Sequence, residues 1–350
     1  MLLALDRLTD CYRQPTPEDT IIMPTILITE PFPPALVESI RVALPPGLTL
    51  DVVASLDLAD FAQCAAAADI LLVGHRRIDT ALLDLAPRVR FIQRLGAGYD
   101  NIDVAAVAAR GIPLAYTPGA NAAAVAEQTI ALMLALLKRL IPAVEATRAN
   151  RWAFGDLTAA GLGDLADATV GLVGLGQIGR AVAERLAPFG SRLLYTQRRR
   201  LDGDTEARLG VRYTALDSLL TDATIVSLHA PATAETRGLI GARELDLMRR
   251  GALLINTARG ELVDEAALRR AIARGHLGGA GLDVLQQEAD DGNPFADLPQ
   301  ALVTPHVGGV SRSAGTHIFQ MALVNIGRVL SGQAPQSLVP GLDGESNSSS

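Results

Sequence analysis

Three ionisable residues, Arg259, Glu288 and His306, each follow a segment with the pattern of a buried parallel strand. An imidazole with a pKa of about 6.5 can protonate an oxygen that gains negative charge. A neighbouring carboxylate favours the charged form of the imidazole. A guanidinium is a planar, permanently charged donor suited to a carboxylate. The set fits reduction of a 2-oxo acid, because the ketone oxygen then needs an acid. Each residue alone could be a surface charge or a structural histidine, but their convergence on one predicted sheet edge favours the chemical interpretation.

A glycine-rich junction lies between a strand pattern at 170–173 and a helix pattern beginning at Ile178. Gly174, Gly176 and Gly179 have the spacing of a dinucleotide site. There the first glycine allows a tight turn, the second lets the backbone approach a pyrophosphate and the third allows close packing. The helix would direct its N–H groups at the phosphates. Glycines of this kind are otherwise ordinary turn residues.

The remaining pattern alternates strands with helices in two series, which predicts two doubly wound parallel sheets covered by helices. The second series predicts six strands, at 170–173, 193–196, 225–228, 252–256, 279–283 and 302–304. The first series runs from Thr25 to about residue 116. A glycine-rich loop within it and a long helix after it are of interest. The loop Gly96, Ala97 and Gly98 could receive an anion on its amides or could be a simple turn. Asn121 is a predicted N-cap for a long apolar helix reaching about Leu140, which should be buried between domains or against a second subunit.

Composition narrows the class of protein. The chain has 350 residues, a formal charge of −7 and two cysteines, Cys11 and Cys64. Its length favours two domains. The acidic balance argues against a nucleic-acid surface and favours a small-molecule ligand. Too few cysteines are present for a disulfide framework, and no secretory or membrane-spanning apolar segment develops, so we expect a cytoplasmic protein.

Four motifs extend this interpretation to a family. They are Gly174-Leu-Gly-Gln-Ile-Gly179, Asn256-Thr-Ala-Arg-Gly260 followed by Glu261-Leu-Val-Asp-Glu265, Gly281-Leu-Asp-Val284 with Glu288, and Pro305-His-Val-Gly308. On these motifs the chain resembles the D-isomer-specific 2-hydroxyacid dehydrogenase family from about Thr25 to Leu338. The glyoxylate/hydroxypyruvate reductases are the members it resembles most in our interpretation. The resemblance implies hydride transfer between a nicotinamide cofactor and a small 2-oxo or 2-hydroxy acid.

The resemblance also implies roles for individual residues. His306 would be the acid/base, Glu288 its carboxylate partner, and Arg259 the group that binds and polarises the substrate. The amides of Gly96, Ala97 and Gly98 would hold the substrate carboxylate, and Asp283 would contact the nicotinamide carboxamide. The predicted cofactor residues are Gly174, Gly176, Gln177, Ile178, Gly179, Gln197, Arg198, His229, Ala230, Pro231, Thr257, Ala258, Asp283 and Gly308. No metal site is predicted.

The family's domain organisation implies a nucleotide domain inserted into a substrate domain. Residues 24–118 and 308–340 would form the substrate domain, to which the final helix returns, and residues 119–307 the nucleotide domain. The active site would lie in a cleft closed by hinge motion. Residues 1–23 would be an extension and 341–350 a loose tail. Homodimerisation is the family habit and would suit the apolar helix after Asn121.

Two stretches depart from the family pattern, one at residues 197–198 and one at residue 289. Members that prefer NAD carry an acidic residue after the second strand of the nucleotide domain, where this chain has Gln197 and Arg198. Gln197 would not repel a 2′-phosphate and Arg198 could pair with it, so we predict NADP over NAD. Otherwise the arginines are only a solvated turn, and Thr196 or Gln197 bonds the ribose. Ala289 stands where the family commonly has proline.

Three alternatives share the fold. Formate dehydrogenases have glutamine at the position of Glu288, which argues against that branch. Phosphite dehydrogenases carry a lysine in the loop that is Gly96 to Gly98 here, so that activity is disfavoured. A corepressor-like module that senses nucleotide without turnover keeps similar residues and remains open.

Overall fold

The computed structural model describes residues 24–288 and 292–342. The predicted extension, Ala289 and most of the predicted tail lie outside these ranges. The chain divides into two compact units, one formed by the residues up to Asn121 and from Gly315 onward, the other by Ala122–Ala314. The predicted domain limits at 118 and 307 lie a few residues before these divisions.

The first unit is built on a five-stranded parallel sheet with the order β2-β1-β3-β4-β5. Its elements before the division are β1 (Thr25–Ile28), α1 (Pro34–Ala43), β2 (Thr49–Val52), α2 (Leu58–Ala65), β3 (Ile70–Val73), α3 (Thr80–Asp84), β4 (Phe91–Arg94), α4 (Val104–Ala109) and β5 (Leu114–Ala115). Strands β3 and β4 are buried at every position, because the helices cover both faces of the sheet.

The second unit is built on a parallel sheet with the order β12-β11-β10-β9-β6-β7-β8, in which the described residues form seven strands. Its helices before the sheet are α5 (Ala122–Leu137), α6 (Leu140–Arg148) and α7 (Phe154–Ala160). There follow β6 (Thr169–Val173), α8 (Gln177–Leu186), β7 (Arg192–Thr196), α9 (Gly203–Leu209), β8 (Val211–Tyr213), α10 (Leu216–Asp222), β9 (Ile225–Leu228), α11 (Ala242–Leu247), β10 (Leu253–Asn256), α12 (Glu265–Ala273), β11 (Gly279–Leu282) and β12 (Ala301–Val303). The predicted fold class is confirmed.

Three details of the prediction are wrong. The sheet has a seventh strand, β8, which spans only three residues and buries only Val211, too short a stretch for an alternation signal. The long helix ends at Leu137, since Arg139 adopts a left-handed φ of 46° and a separate helix follows. Asn121 does not cap that helix, because its buried Oδ1 accepts no hydrogen bond within the described ranges.

Most of the last helix, α13 (Arg312–Leu330), belongs to the first unit and packs its side chains into that unit's core. The Phe319 ring meets the Phe32 ring edge-on at 6.2 Å between centroids, and Ile326 is fully buried among the residues of that core. Asn325 Nδ2 donates to Gln93 Oε1 at 2.8 Å, and both side chains are buried. A buried amide pair is retained only when hydrogen-bonded, so this contact ties the helix to β4.

Candidate functional site

The glycine turn after β6 has the shape that a pyrophosphate needs. Gly174 has a φ of +95°, and a Cβ there would lie 2.8 Å from the carbonyl oxygen of His229. A Cβ on Gly179 would lie 2.3 Å from the Gly174 oxygen, so both positions exclude larger residues. A Cβ on Gly176 would meet nothing within 4 Å. The open side of the turn therefore faces space at the N-terminus of the ten-residue helix α8, and these residues fit a dinucleotide phosphate.

The side chain of Gln197 holds this turn in place. Its Oε1 accepts from Leu175 N at 3.1 Å, and its Nε2 donates to the Arg199 carbonyl at 2.6 Å. The amide thus links the glycine turn to the arginine segment after β7. The alternative in which Thr196 or Gln197 bonds the ribose stays a prediction, because the Gln197 amide keeps one acceptor and one donor position beyond these two bonds.

The three arginines after β7 differ in their partners. Arg200 is bound on both prongs by Glu206, at 2.8 Å each, and stacks over Tyr213. The Tyr195 hydroxyl also donates to Glu206 at 2.6 Å, and these hydrogen bonds hold the pKa of Glu206 down at about 2. Arg198 is exposed and forms no ion pair within 4.0 Å across the ranges that the structure covers. The hydrogen bond from Thr233 lowers the pKa of Glu235, and the charge of Arg198 makes a smaller contribution in the same direction.

His229 supports the glycine turn from behind. Its ring Nε2 lies 3.0 Å from the Ser227 hydroxyl, and its Nδ1 is buried with no hydrogen-bond partner in the described part of the chain. Burial lowers the pKa of His229 to about 4, because the charged ring would lose its hydration. At neutral pH the ring is uncharged. Ala230 and Pro231 follow it and are only partly buried or exposed.

His306 and Glu288 form a pair. His306 Nδ1 lies 2.7 Å from Glu288 Oε2, and both side chains are about two-fifths exposed. Burial alone would raise the pKa of Glu288, but the hydrogen bond and charge of His306, with a smaller contribution from the charge of Arg259, leave it lowered. The carboxylate therefore stays ionised at neutral pH beside the ring. Sequence prediction had placed these three groups together, and the structure brings them to one region of the second unit.

Asp283 sets the backbone around His306. Its carboxylate accepts from the Thr304 hydroxyl at 2.5 Å, Val307 N at 3.1 Å and Gly308 N at 2.7 Å. His306 itself has a left-handed φ of 52°, a conformation that such a turn must hold in place. Asp283 is buried and mostly engaged by its own chain, so a carboxamide could claim only its remaining acceptor capacity.

Arg259 lies on a turn that two features fix. The buried Asn256 side chain accepts from Ala258 N at 3.0 Å and donates to the Arg259 carbonyl at 2.9 Å. Gly260 packs so closely that a Cβ there would lie 2.0 Å from the Leu285 carbonyl carbon. The Thr257 hydroxyl bonds Thr129 of α5 at 2.8 Å. The guanidinium is therefore presented from a rigid backbone.

The loop Gly96 to Gly98 belongs to the first unit. Gly96 has a φ of +155°, and its carbonyl accepts from Thr117 N at 3.0 Å. A Cβ on Gly96 would lie 2.7 Å from the buried Arg94 guanidinium, which therefore supports the loop from below.

Sequence reasoning missed several residues that shape the site. Asn256, Thr304 and Gln128 hold its turns, the last by donating to the Thr304 hydroxyl at 3.1 Å. Asn256 and Thr304 stand at strand ends of the predicted sheet, which is a usable signal, whereas Gln128 lies 176 positions from its partner and carries none.

The described residues contain no group of three or more His, Cys, Asp or Glu side chains that could hold a metal ion. Among the helices that the structure describes, none is long and apolar enough to cross a membrane.

Comparisons with known proteins agree on one family. Residues 130–308 match the model described as D-isomer specific 2-hydroxyacid dehydrogenase, NAD binding domain. A glyoxylate reductase of Korarchaeum cryptofilum is 38% identical over 266 residues, which is 75% of this chain and 79% of that protein. A D-3-phosphoglycerate dehydrogenase of Mycobacterium tuberculosis is 40% identical over 71% of this chain but only 46% of its own length. The structure of an NADPH-dependent glyoxylate/hydroxypyruvate reductase from Sinorhizobium meliloti, in complex with NADP and malonate, is 29% identical with a TM-score of 0.78, covering 91% of this chain and 97% of that one.

Proposed function

Because the chain belongs to the D-isomer specific 2-hydroxyacid dehydrogenase family, we propose that it reduces a small 2-oxo acid of the glyoxylate/hydroxypyruvate type to the D-2-hydroxy acid, with NADPH as the favoured cofactor. Members of this family are NAD(P)-dependent enzymes that act on CH–OH groups, and this chain is one of them. The observation that carries the proposal is the 2.7 Å contact between His306 Nδ1 and Glu288 Oε2 in the unit that holds the glycine turn.

The chain's own residues divide the work as follows. The bound nicotinamide would supply a hydride to the carbonyl carbon of the substrate. Glu288 engages Nδ1 of His306, which assigns proton delivery to Nε2, and the carbonyl oxygen takes that proton as it gains charge. Arg259 would grip the substrate carboxylate and polarise the carbonyl. The amides of Gly96, Ala97 and Gly98 are predicted donors to a substrate carboxylate.

A panel of 2-oxo acids tests the reaction. Purified protein with NADPH should reduce glyoxylate, hydroxypyruvate or pyruvate. The reaction is measured as the loss of absorbance of the reduced cofactor. Stereochemistry is read from the products of hydroxypyruvate or pyruvate, because reduction of glyoxylate creates no chiral centre. Chiral chromatography should find the D-product. Nucleotide binding without turnover of any substrate would instead favour the corepressor-like module.

Cofactor preference is supported by the segment after β7. Arg200 is committed to Glu206, Gln197 is committed to the glycine turn, and Arg198 is exposed with no close ion pair in the described residues. A 2′-phosphate would therefore find Arg198 and no carboxylate among residues 197–200. The comparison to make is kcat/KM with NADPH and with NADH, and an NADH preference would contradict the proposal.

The proposed homodimer uses a different surface from the helix that the sequence suggested. Helix α5 is packed into the core of its own unit, with Ala126 and Met133 fully buried. Large apolar side chains are exposed instead on the following segment, including Trp152 at 85%, Phe154 at 71% and Leu140 at 51%. A second copy of the chain would cover them.

Sedimentation tests this surface. The double variant Trp152→Asp with Phe154→Asp should change a dimer into a monomer. Val42→Asp is the control, since Val42 is 77% exposed on the first unit and should not affect assembly. A monomeric native protein would contradict the proposal.

A further inference from the structure

Glu30 is a buried carboxylate that the proposed chemistry does not use. It follows β1 in the first unit and is only 6% exposed. Its Oε1 accepts from His75 N at 2.8 Å, and its Oε2 accepts from Gly74 N and Arg76 N, each at 3.2 Å. The Thr29 hydroxyl donates to Oε2 at 3.1 Å. Three successive amides thus converge on one internal anion.

The loop of residues 74–76 is shaped around this carboxylate. A Cβ on Gly74 would lie 1.5 Å from Glu30 Oε1, so a larger residue there would displace the carboxylate. The buried Arg76 donates from Nε to the Thr29 carbonyl and from its guanidinium to the Ser55 carbonyl, and lies 5.1 Å over the Phe61 ring. Removing the carboxylate would leave the buried N–H groups of Gly74 and Arg76, and the partly buried N–H of His75, without this acceptor. An unpaired buried N–H group is costly.

The loop 74–76 is joined to the loop that carries the predicted carboxylate amides. Strands β3 and β4 are parallel neighbours, with Val73 opposite Arg94 at their ends. Leu95 N donates to the Val73 carbonyl at 2.8 Å. Asn101 Nδ2 closes the arrangement by donating to the carbonyls of Gly74 at 3.1 Å and Arg76 at 2.8 Å. A shift of one loop therefore moves the start of the other.

We propose that Glu30 is a positioning residue for the 2-oxo acid: it fixes the loop 74–76 against residues 95–98 and so sets the amides that receive the substrate carboxylate. The inference rests on the proposed function. It assigns to Glu30 an effect on substrate affinity, with no part in proton transfer or in nucleotide binding.

The test is steady-state kinetics of Glu30→Gln. Glutamine keeps the shape but places an NH2 among N–H donors, so the loop must rearrange. We expect KM for the 2-oxo acid to rise about tenfold or more, as small misplacements of binding groups do. The kcat should change much less, and the Kd of NADPH should stay unchanged because the glycine turn belongs to the other unit. Glu38→Gln is the matched control, since Glu38 is exposed and pairs with Arg41.

A second variant guards against a folding defect. Asn101→Ala removes the two side-chain hydrogen bonds to the carbonyls of Gly74 and Arg76 and should also raise KM. Ile40→Val, a core change in the same unit, should lower Tm without raising KM, which separates positioning from general destabilisation. A folded Glu30→Gln protein, or an Asn101→Ala protein if the former does not fold, with unchanged KM would overturn the inference.

Hydrogen exchange separates failure of this inference from failure of the proposed function. Native protein that binds NADPH but reduces no 2-oxo acid contradicts the function. In that case the amides of residues 95–98 should still exchange faster in Glu30→Gln than in the native protein. Unchanged protection there would remove Glu30 as a positioning residue whatever the reaction.

Discussion

Two loops of this molecule present backbone N–H groups at the carboxyl edge of a parallel sheet, one after β6 in the second unit and one after β3 in the first. The loop 74–76 has its amides filled by Glu30, whereas the turn from Gly174 to Gly179 has an open side at Gly176. The same backbone device therefore serves as an internal support in one unit and as a site for an external anion in the other. The difference is that the Glu30 side chain fills the amides of the first loop, and no side chain of the described residues does so at Gly176.

The proposed reacting groups belong to the second unit, and replacing His306 should have the largest effect on turnover. We expect His306→Asn to lower kcat by roughly 10²–10⁴-fold, the usual contribution of a positioned acid. Fluorescence titration should show unchanged NADPH binding. His317→Asn, in helix α13, is the control, and retained turnover in His306→Asn would remove that residue as the proton donor.

The open side of the glycine turn is tested by Gly176→Ala. The new methyl group meets no protein atom within 4 Å, so Tm should not change, but it would stand where a pyrophosphate must approach. We expect the Kd of NADPH to rise about tenfold, or about 1.4 kcal/mol, by titration calorimetry. Gly203→Ala is equally unhindered and lies at the start of α9, so it should bind NADPH normally. Equal affinities in both variants would mean that this turn is not the phosphate site.

The Arg198→Gln variant tests whether Arg198 binds the 2′-phosphate of NADPH. Loss of a charged donor should lower kcat/KM with NADPH by about tenfold and leave the value with NADH almost unchanged. Arg192→Gln, an exposed arginine at the start of the same strand, should have no effect on either. A uniform loss with both cofactors would show that Arg198 does not read the phosphate.

The contribution of the His229 ring to the stability of the protein should depend on pH. Because the folded-state pKa of His229 is about 4, below its ordinary value near 6.5, the neutral ring's contribution is fully present above about pH 6.5 and is lost as pH falls toward 4. Replacing it by glutamine should make the fall in Tm over this window smaller by roughly 5–10 °C. Identical pH profiles for the native and His229→Gln proteins would contradict this account.

The alternation of strands and helices was readable because each strand is a short apolar run between turn residues, so β9 was predicted at its observed limits. The three-residue strand β8 and the left-handed Arg139 depend on surroundings that no local pattern reports. In the candidate site, motif spacing indicated Arg259, Glu288 and His306. Glu30 could not be found in this way, because its partner His75 lies 45 positions away.

The buried bond between Gln93 and Asn325 joins residues 232 positions apart. During synthesis, β4 must leave the ribosome well before the helix that completes its surroundings, while the continuous second unit gathers all its strands earlier. We expect nascent chains stalled before Asn325 to carry a protease-resistant second unit and a protease-sensitive first one. Limited proteolysis of ribosome-bound chains measures this, and equal resistance of both units would show that the last helix is dispensable for the early fold.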